Sequence, residues 1–474
     1  MRNVTILRAA RRVSGRLAAV GAAALVALGA AGCNDFLAGG DLSTDPNNPT
    51  AATNRQLFVG VQSNLWALLG SDPARIAGLF TQQFEGVQSQ YYSAYTYSVN
   101  EQTTNGFHAA LYASGGLRDV RILQQNARQQ GDTLFLGIAQ VQEALLMGTG
   151  ADLFGDLVYT QALSGTPNPG LDRQLAIYDS VQTLLSRAIT NLQSFRGAAT
   201  NLGPGGTDVN YGGNKDRWTA LARTLKARFL LHTAEVRPAA YQQALAEARQ
   251  GIVDPANDFK AVFSGGAGEE NFFFQFTLVQ RFAYLIPNPG FVDLLERRDD
   301  PRLTSYFDET GDETGCGEPF FCLSYNGDGT GLGEEGYDQP LVTAQENLLI
   351  WAESAQRTGA EGEAREQLNR ARAIAGLDAV APSLTGRALL AEILTEKYIA
   401  LFGSIEPWND YRRTCFPNLV PTTAGVKIPA RLLYDAGERQ TNTSIPGAQA
   451  QPTRNQNDPA NAVSDGTGAA CLGQ

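Results

Sequence analysis

Residues 386–419, GRALLAEILTEKYIALFGSIEPWNDYRRTCFPNL, constrain the fold more than any other stretch. Leu390, Leu394, Tyr398 and Phe402 recur every fourth residue, and Ile393 and Leu401 widen the stripe. That period puts them on one face of an α-helix. A face so broad needs partners on more than one side, so the helix belongs in the middle of a helical domain. Gly403 and Pro407 break it. The next segment, WNDYRR at 408–413, crowds acids, bases and aromatics into six positions.

Other helices read as pairs. Trp218, Leu221, Leu225 and Phe229 form one stripe, and Tyr241, Ala244, Leu245, Ala248 and Ile252 form the next. Leu348, Trp351, Ala352 and Ala355 are followed by Ala364, Leu368, Ala371 and Ala375. Each pair is two helices of roughly three turns with small residues at the crossing, the grammar of helical repeats. Stacked pairs bury a continuous core and leave a flat or concave flank. Residues 57–69, 74–85 and 133–158 also read as helices, and Asp172 stands where a helix N-cap belongs. Residues 259–340, rich in Gly, Asp and aromatics, read as long loops over the scaffold, where ligand contacts concentrate. The polar tail beyond Ile445 has only Cys471 to hold it.

The N-terminus speaks to compartment. Arg2, Arg8, Arg11, Arg12 and Arg16 precede an uncharged run of small apolar residues at 17–32, and no acid lies before Cys33. The run is shorter than the ~20 residues of a spanning helix and ends in a small-residue cleavage pattern. It resembles a bacterial lipoprotein signal, with Ala30 where leucine is usual. Residues 1–32 are then a signal peptide, residues 33–474 the working domain, and Cys33 the acylated anchor. Ordinary secretion with Cys33 as a spare thiol is the competing reading. No other run is read as apolar enough to span a membrane. Taking the five leader arginines from 37 basic residues leaves 32 against 48 acids, a net charge of −16. Such a surface repels phosphates and argues against nucleic-acid binding.

Four cysteines remain, an even number that outside the cytoplasm reads as disulfides. The close pair most simply closes on itself as Cys316–Cys322, leaving Cys415–Cys471. In the chain-entropy account these loops contribute about 2.4 and about 4.2 kcal/mol. A zinc site would need both pairs in one shell, and CxxC spacing is absent.

Candidate binding residues lie at 86–107, GVQSQYYSAYTYSVNEQTTNGF, nearly free of charge. Tyr91, Tyr92, Tyr95 and Tyr97 either pack half-buried in a short strand or loop, or form a platform for sugar rings, since tyrosine offers an apolar face and a hydroxyl at low entropic cost. The NFFFQF run at 271–276 is a second aromatic cluster. Ser324, Asn326, Asp328, Gly329 and Glu335 fall at positions 1, 3, 5, 6 and 12 of a calcium-loop template, with serine where aspartate is required; a solvated glycine loop is the alternative. Calcium at Asn326, Asp328 and Glu335 is the sole cofactor candidate. With two histidines, His108 and His232, no HExxH and no GxSxG, the sequence argues against a histidine-based hydrolase or metalloprotease. A carboxylate pair for glycoside hydrolysis is not visible in one dimension.

Several motifs together resemble the SusD/RagB family. Glu392, Glu396, Trp408, Asp410, Arg412 and Arg413 fit its late helix, with Phe402-Gly403 replacing the usual glutamate-glycine. Phe154, Gly155, Asp156, Leu157, Val158 and Tyr159 are similar to its (W/F)GDxPY signature, with valine for proline. Asp172, Gln174, Ile177, Tyr178, Leu184, Ala188 and Leu192 match the next helix, and residues 428–442 match the tail, with Asp435 for proline. The resemblance implies a mostly α SusD-like fold: a tetratricopeptide-type helical-repeat scaffold with long loop-rich insertions. It also implies a non-catalytic lipoprotein on the outer face of the outer membrane. Such a protein captures a nutrient, an oligosaccharide above all, and passes it to a SusC-like TonB-dependent β-barrel transporter. A surface glycoside hydrolase and a repeat adaptor for proteins are the rival functions.

Overall fold

The computed structural model describes residues 52–459 except 105, 198–201, 203–205, 283, 310–320 and 324–330. Its centre is the helix Thr133–Phe154 (α6). The side chain of Asp132 caps its first turn by accepting from Phe135 N at 3.0 Å. From Gly137 to Phe154 every residue is buried. By length and composition α6 is apolar enough to cross a membrane, contrary to the expectation from sequence, but 94% of its apolar window is covered by the protein itself. The cover comes from Asn54–Gly70 (α1), Phe107–Tyr112 (α4), Leu117–Gln130 (α5), Gln174–Ser194 (α7) and Lys215–Thr233 (α8). Close approach requires glycine at one crossing: a Cβ on Gly148 would lie 2.3 Å from Cζ of Phe229.

From α8 the helices continue as a stack: Ala239–Ala248 (α9), Ala344–Arg357 (α13), Glu361–Ile374 (α14) and Gly386–Ala400 (α15). Neighbours α7–α8, α8–α9, α9–α13, α13–α14 and α13–α15 pack in turn. Leu245, Leu348, Leu349, Ala352, Ala364, Leu368, Leu389 and Ile393 fill one continuous seam. The alanines at the crossings are the small residues that the sequence pattern showed, and the helical-repeat scaffold follows from them.

Three short elements depart from expectation. Residues 74–85 are not one helix: Asp72–Phe80 (α2) stops and Phe84–Gly86 (β1) follows. The tyrosine-rich segment is neither strand nor loop but the helix Ser89–Tyr95 (α3). Residues 259–340 contain more than loops. They hold Phe259–Ala261 (β2), Phe272–Phe274 (α10) running into a π-helical turn Gln275–Gln280, then Leu285–Pro287 (β3), Pro289–Arg297 (α11), Arg302–Tyr306 (α12), Phe307–Glu309 (β4), Phe321–Leu323 (β5) and Gln339–Val342 (β6). The strands make three antiparallel two-stranded ladders, β1–β3, β2–β6 and β4–β5. Their strands are three or four residues long, too short to show an alternating pattern in sequence.

Pro407 does more than stop α15. It lies in the first turn of Glu406–Thr414 (α16), where a missing N–H costs nothing. The tail also differs from expectation, because it is held well before Cys471. Asn455 Nδ2 donates to Asp152 O at 2.9 Å. Asn457 N donates to Gln174 Oε1 at 2.9 Å, and its Nδ2 to His232 O at 3.0 Å.

Candidate ligand-binding surface

The charged motif residues occupy the interior. Arg413 donates twice to Glu353, both at 2.6 Å, and to Asp410 at 2.9 and 2.7 Å. Lys397 Nζ lies 2.9 Å from Asp410 and 3.3 Å from Glu353. Burial alone pushes the Glu353 carboxyl up, but the Arg413 and Lys397 charges outweigh it and hold it down at about 2. Glu396, fully buried, accepts from Arg302 at 2.5 Å, and Glu392 accepts from Arg298 at 2.6 Å. Trp408 Nε1 donates to Pro429 O at 2.7 Å, and Arg412, 4.0 Å above its ring, donates to Asp152 O at 2.6 Å. These six side chains tie α15 and α16 to the core and leave nothing to offer a ligand.

The same holds for the turn at 154–159. Gly155 takes φ 79°, a conformation glycine adopts without strain. Asp156 Oδ1 accepts from Gln174 N at 2.8 Å and so caps α7. Asp172, expected as that cap, instead accepts from Tyr159 N and Thr160 N at 3.0 and 2.7 Å. The cap read from sequence at Asp172 is thus supplied by Asp156, because the Leu157–Asp172 bridge turns the chain between them.

His232 sits deeper, its Nδ1 2.8 Å from Asp152 Oδ1 and its Nε2 2.9 Å from Glu406 Oε2. It is 3% exposed, a satisfied core histidine. Arg228 lies 3.4 Å from Glu406 and donates twice to Glu346 at 2.5 Å. Asp152, His232 and Glu406 have the composition of a metal site. However, each ring nitrogen is taken by a different carboxylate, which leaves neither nitrogen free to bind an ion. Burial pulls its pKa down, but the two carboxylates override that and raise it to about 9.

The solvent-facing surface is assembled around α3. Tyr91 is buried: its hydroxyl accepts from Arg75 Nε at 2.9 Å and donates to Asp72, and its ring lies 4.7 Å from that of Phe276. Tyr97 is buried against Phe80, with Gln82 Nε2 donating to its hydroxyl at 3.1 Å. Tyr95 is half-buried; its hydroxyl accepts from Asn288 Nδ2 at 3.1 Å, and burial pushes it up to about 12. Tyr92 alone of the four is open, at 56% exposure. The helical turn of α3 explains the split, since Tyr91 and Tyr95 share the inward side while Tyr92 is rotated out. In the 271–276 run, Phe273, Phe274 and Phe276 are buried and Phe272 is half-buried, so this run is core and not a platform.

Sequence reading missed the segments bonded to residues 82–95. Val87 N donates to Tyr284 O at 3.1 Å, joining α3 to the segment after the π-helical turn. Thr422 Oγ1 donates to Tyr95 O at 2.5 Å and Gln82 Nε2 to Val420 O at 2.6 Å, joining it to the loop at 416–426. Val87, Tyr92, Val279, Phe282, Val420 and Val426 are exposed on these three packed segments, half of the twelve exposed large apolar side chains among the described residues. Concentrated exposure of this kind marks an interaction surface. Phe282 and Val420 lay in stretches without periodicity; their only signal was an apolar residue within a loop. Residues 81–97, 272–288 and 416–426 contain a single acid, Glu85. Glycoside hydrolysis in its usual form uses two carboxylates across the bond, which this surface does not supply.

Cys415 is disulfide-bonded and caps α16 in a left-handed conformation. Its partner lies outside the residues whose side chains are described, as do Cys33, Cys316, Cys322, Cys471, Asn326 and Asp328. Glu335, the remaining calcium candidate, is exposed.

Residues 46–435 match the SusD-like family described as starch-binding and associating with the outer membrane. The chain belongs to this family. Solved structures agree on the fold. A SusD/RagB family protein from Bacteroides thetaiotaomicron is 21% identical, with a TM-score of 0.68, over 85% of this chain and 97% of that one. A chitin-binding SusD homologue from Flavobacterium johnsoniae is 18% identical, with a TM-score of 0.71, over 85% and 98%. A SusD homologue from Bacteroides uniformis is 18% identical, with a TM-score of 0.66, over 82% and 94%. No curated protein matches. The family is one of binding proteins, and the chain is accordingly a binding protein and not an enzyme.

Proposed function

We propose that this protein captures oligosaccharides at the cell surface, with Tyr92 as the principal stacking ring and Phe282, exposed on the segment bonded to Val87, as a second ring. The observation that carries the reading is the exposure of Tyr92 on a helix whose other tyrosines are anchored beneath it. Sugar rings present C–H faces to an aromatic plane, and Gln88, Ser89, Gln90 and Ser93 around it can bond the hydroxyls. Family membership and the starch- and chitin-binding descriptions of its relatives support the ligand class. In this reading Cys33 carries the lipid anchor on the outer membrane, and the ligand passes to a SusC-like TonB-dependent barrel. Transfer requires release, which suits affinities on the order of micromolar to millimolar.

The test is calorimetry with maltoheptaose and chitohexaose on the wild type, Tyr92→Ala and Phe282→Ala, with circular dichroism as the folding control. Both variants should keep their fold and lose at least tenfold in affinity. Retention of wild-type binding by both would refute the platform, and loss of binding only together with loss of fold would make these rings structural.

A further inference from the structure

A groove of about 730 Å³ opens between α5, α7 and the turn at 159–160. Its volume is within the range of small-ligand sites, and none of its lining residues belongs to the Tyr92 surface. We infer that it is a second binding site, one that takes a carboxylate-bearing oligosaccharide. Three guanidinium groups line it, those of Arg121, Arg128 and Arg187.

The two acids in the groove are already engaged. Glu143 accepts from Arg121 Nε at 3.3 Å, from the Tyr159 hydroxyl at 3.1 Å and from Gln124. Asp179 is held by Arg237 from outside the groove at 2.6 and 3.2 Å. Arg121 is fixed in place, donating to the carbonyls of Ala162 and Tyr159 at 3.1 Å each and lying 5.3 Å from the Tyr159 ring centre. Arg128 spends one N–H on Gln124 Oε1 at 3.0 Å. Arg187 is exposed and has no partner among the described residues. Two forks of donors therefore face a groove whose two carboxylates are each bonded to another group, on a chain whose net charge is −11. Guanidinium forks match carboxylate geometry in paired hydrogen bonds, and a local positive region on an acidic protein draws anions to itself. Gln125, Thr160, Ser180 and Thr183 on the walls offer both donors and acceptors, as ring hydroxyls require.

The proposal stands apart from the Tyr92 platform, and its test separates the two. Calorimetry would compare tri-galacturonate, tri-guluronate and sialyllactose with trimethyl-esterified tri-galacturonide and lactose, and with trialanine as a peptide carboxylate. At least one acidic sugar should bind about tenfold more tightly than its neutral counterpart, and added salt should weaken it. Arg128→Gln and Arg187→Gln should each lose about tenfold, and the double variant should show no acidic-sugar binding. Both side chains are exposed, so the fold should hold by circular dichroism. Tyr92→Ala should leave acidic-sugar binding intact. The inference is overturned by any of four results: equal affinity for acidic and neutral sugars, wild-type affinity in the double arginine variant, loss of acidic-sugar binding in Tyr92→Ala, or trialanine binding as tightly as the best acidic sugar.

Discussion

Replacing His232 by glutamine tests the charged core directly. In the folded protein the imidazole titrates at about 9 against an ordinary value of 6.5. Burial opposes the charge, but Asp152 at 2.8 Å and Glu406 at 2.9 Å overcome it. Between those two pH values the native state holds a proton that the unfolded chain has released, so stability falls as pH rises. The contribution is fully present below about 6.5 and is lost as pH passes 9. At ~1.4 kcal/mol per unit, that is about 3 kcal/mol. The glutamine variant has no such proton and leaves one buried carboxylate without its ionic partner, at a cost of about 3–5 kcal/mol near neutrality. Half-buried Asp258 and buried Asp458, raised to about 6 and about 7, also make stability pH-dependent, but both proteins carry them. The quantity to measure is therefore the difference between wild type and His232→Gln in guanidinium denaturation at a series of pH values. It should shrink by about 3 kcal/mol from pH 6.5 to above pH 9. A difference that is flat across that range would show that the folded imidazole does not carry the proton, and the reasoning about this core would fall.

The second charged cluster behaves in the opposite sense. Glu353, held at about 2, contributes stability that is present above its ordinary value of 4.5 and is lost as pH falls toward 2. Glu353→Gln should cost about 3–5 kcal/mol at neutral pH in the same denaturation assay and flatten the acid limb of the stability profile. At the chain's start, Cys33→Ser should leave the protein unprocessed or released from membranes on fractionation, and non-reducing peptide mapping of the same preparation should join Cys316 to Cys322 and Cys415 to Cys471. Unchanged membrane association, or Cys415 joined to another cysteine, would remove the respective assignment.

The repeat scaffold was legible because its signal is periodic. Leu348 to Ala355 and Ala364 to Ala371 place small and branched apolar residues at helical spacing, and the packing seam follows from that spacing alone. The WNDYRR segment was legible as a motif but not as a network. Sequence shows that Asp410 and Arg413 are close, yet not that Glu353, 57 positions before Asp410, closes their charge balance. The tyrosine segment shows the limit most clearly. Four tyrosines in seven positions look equivalent in one dimension, and only the pitch of α3 sorts buried Tyr91 from exposed Tyr92. Its partners were out of reach for another reason. The segments of Phe282 and Val420 are tied to residues 82–95 by a backbone hydrogen bond from Val87 to Tyr284 and side-chain bonds from Thr422 to Tyr95 and Gln82 to Val420, contacts that leave no pattern in the residues that make them.

Within an otherwise apolar core some charges lie buried in pairs, while a cluster of apolar side chains lies at the surface, and both features suit a binding protein. Buried ion pairs are a weak source of net stability, but each one broken is costly, so they reject alternative packings of the helices. With α15 and α16 fixed in that way, apolar side chains such as Tyr92, Val279 and Val420 need not be drawn into the core and can stay at the surface. They are carried by a short helix, a π-helical turn and a loop pinned to that helix by Thr422 and Thr423, whose hydroxyls donate to Tyr95 O and Thr96 O at 2.5 and 3.3 Å. A rigid support beneath exposed rings reduces the ordering cost of binding. The residues that carry the family motifs and those proposed to meet a ligand are accordingly different sets: the first hold the frame, and the second are carried on it.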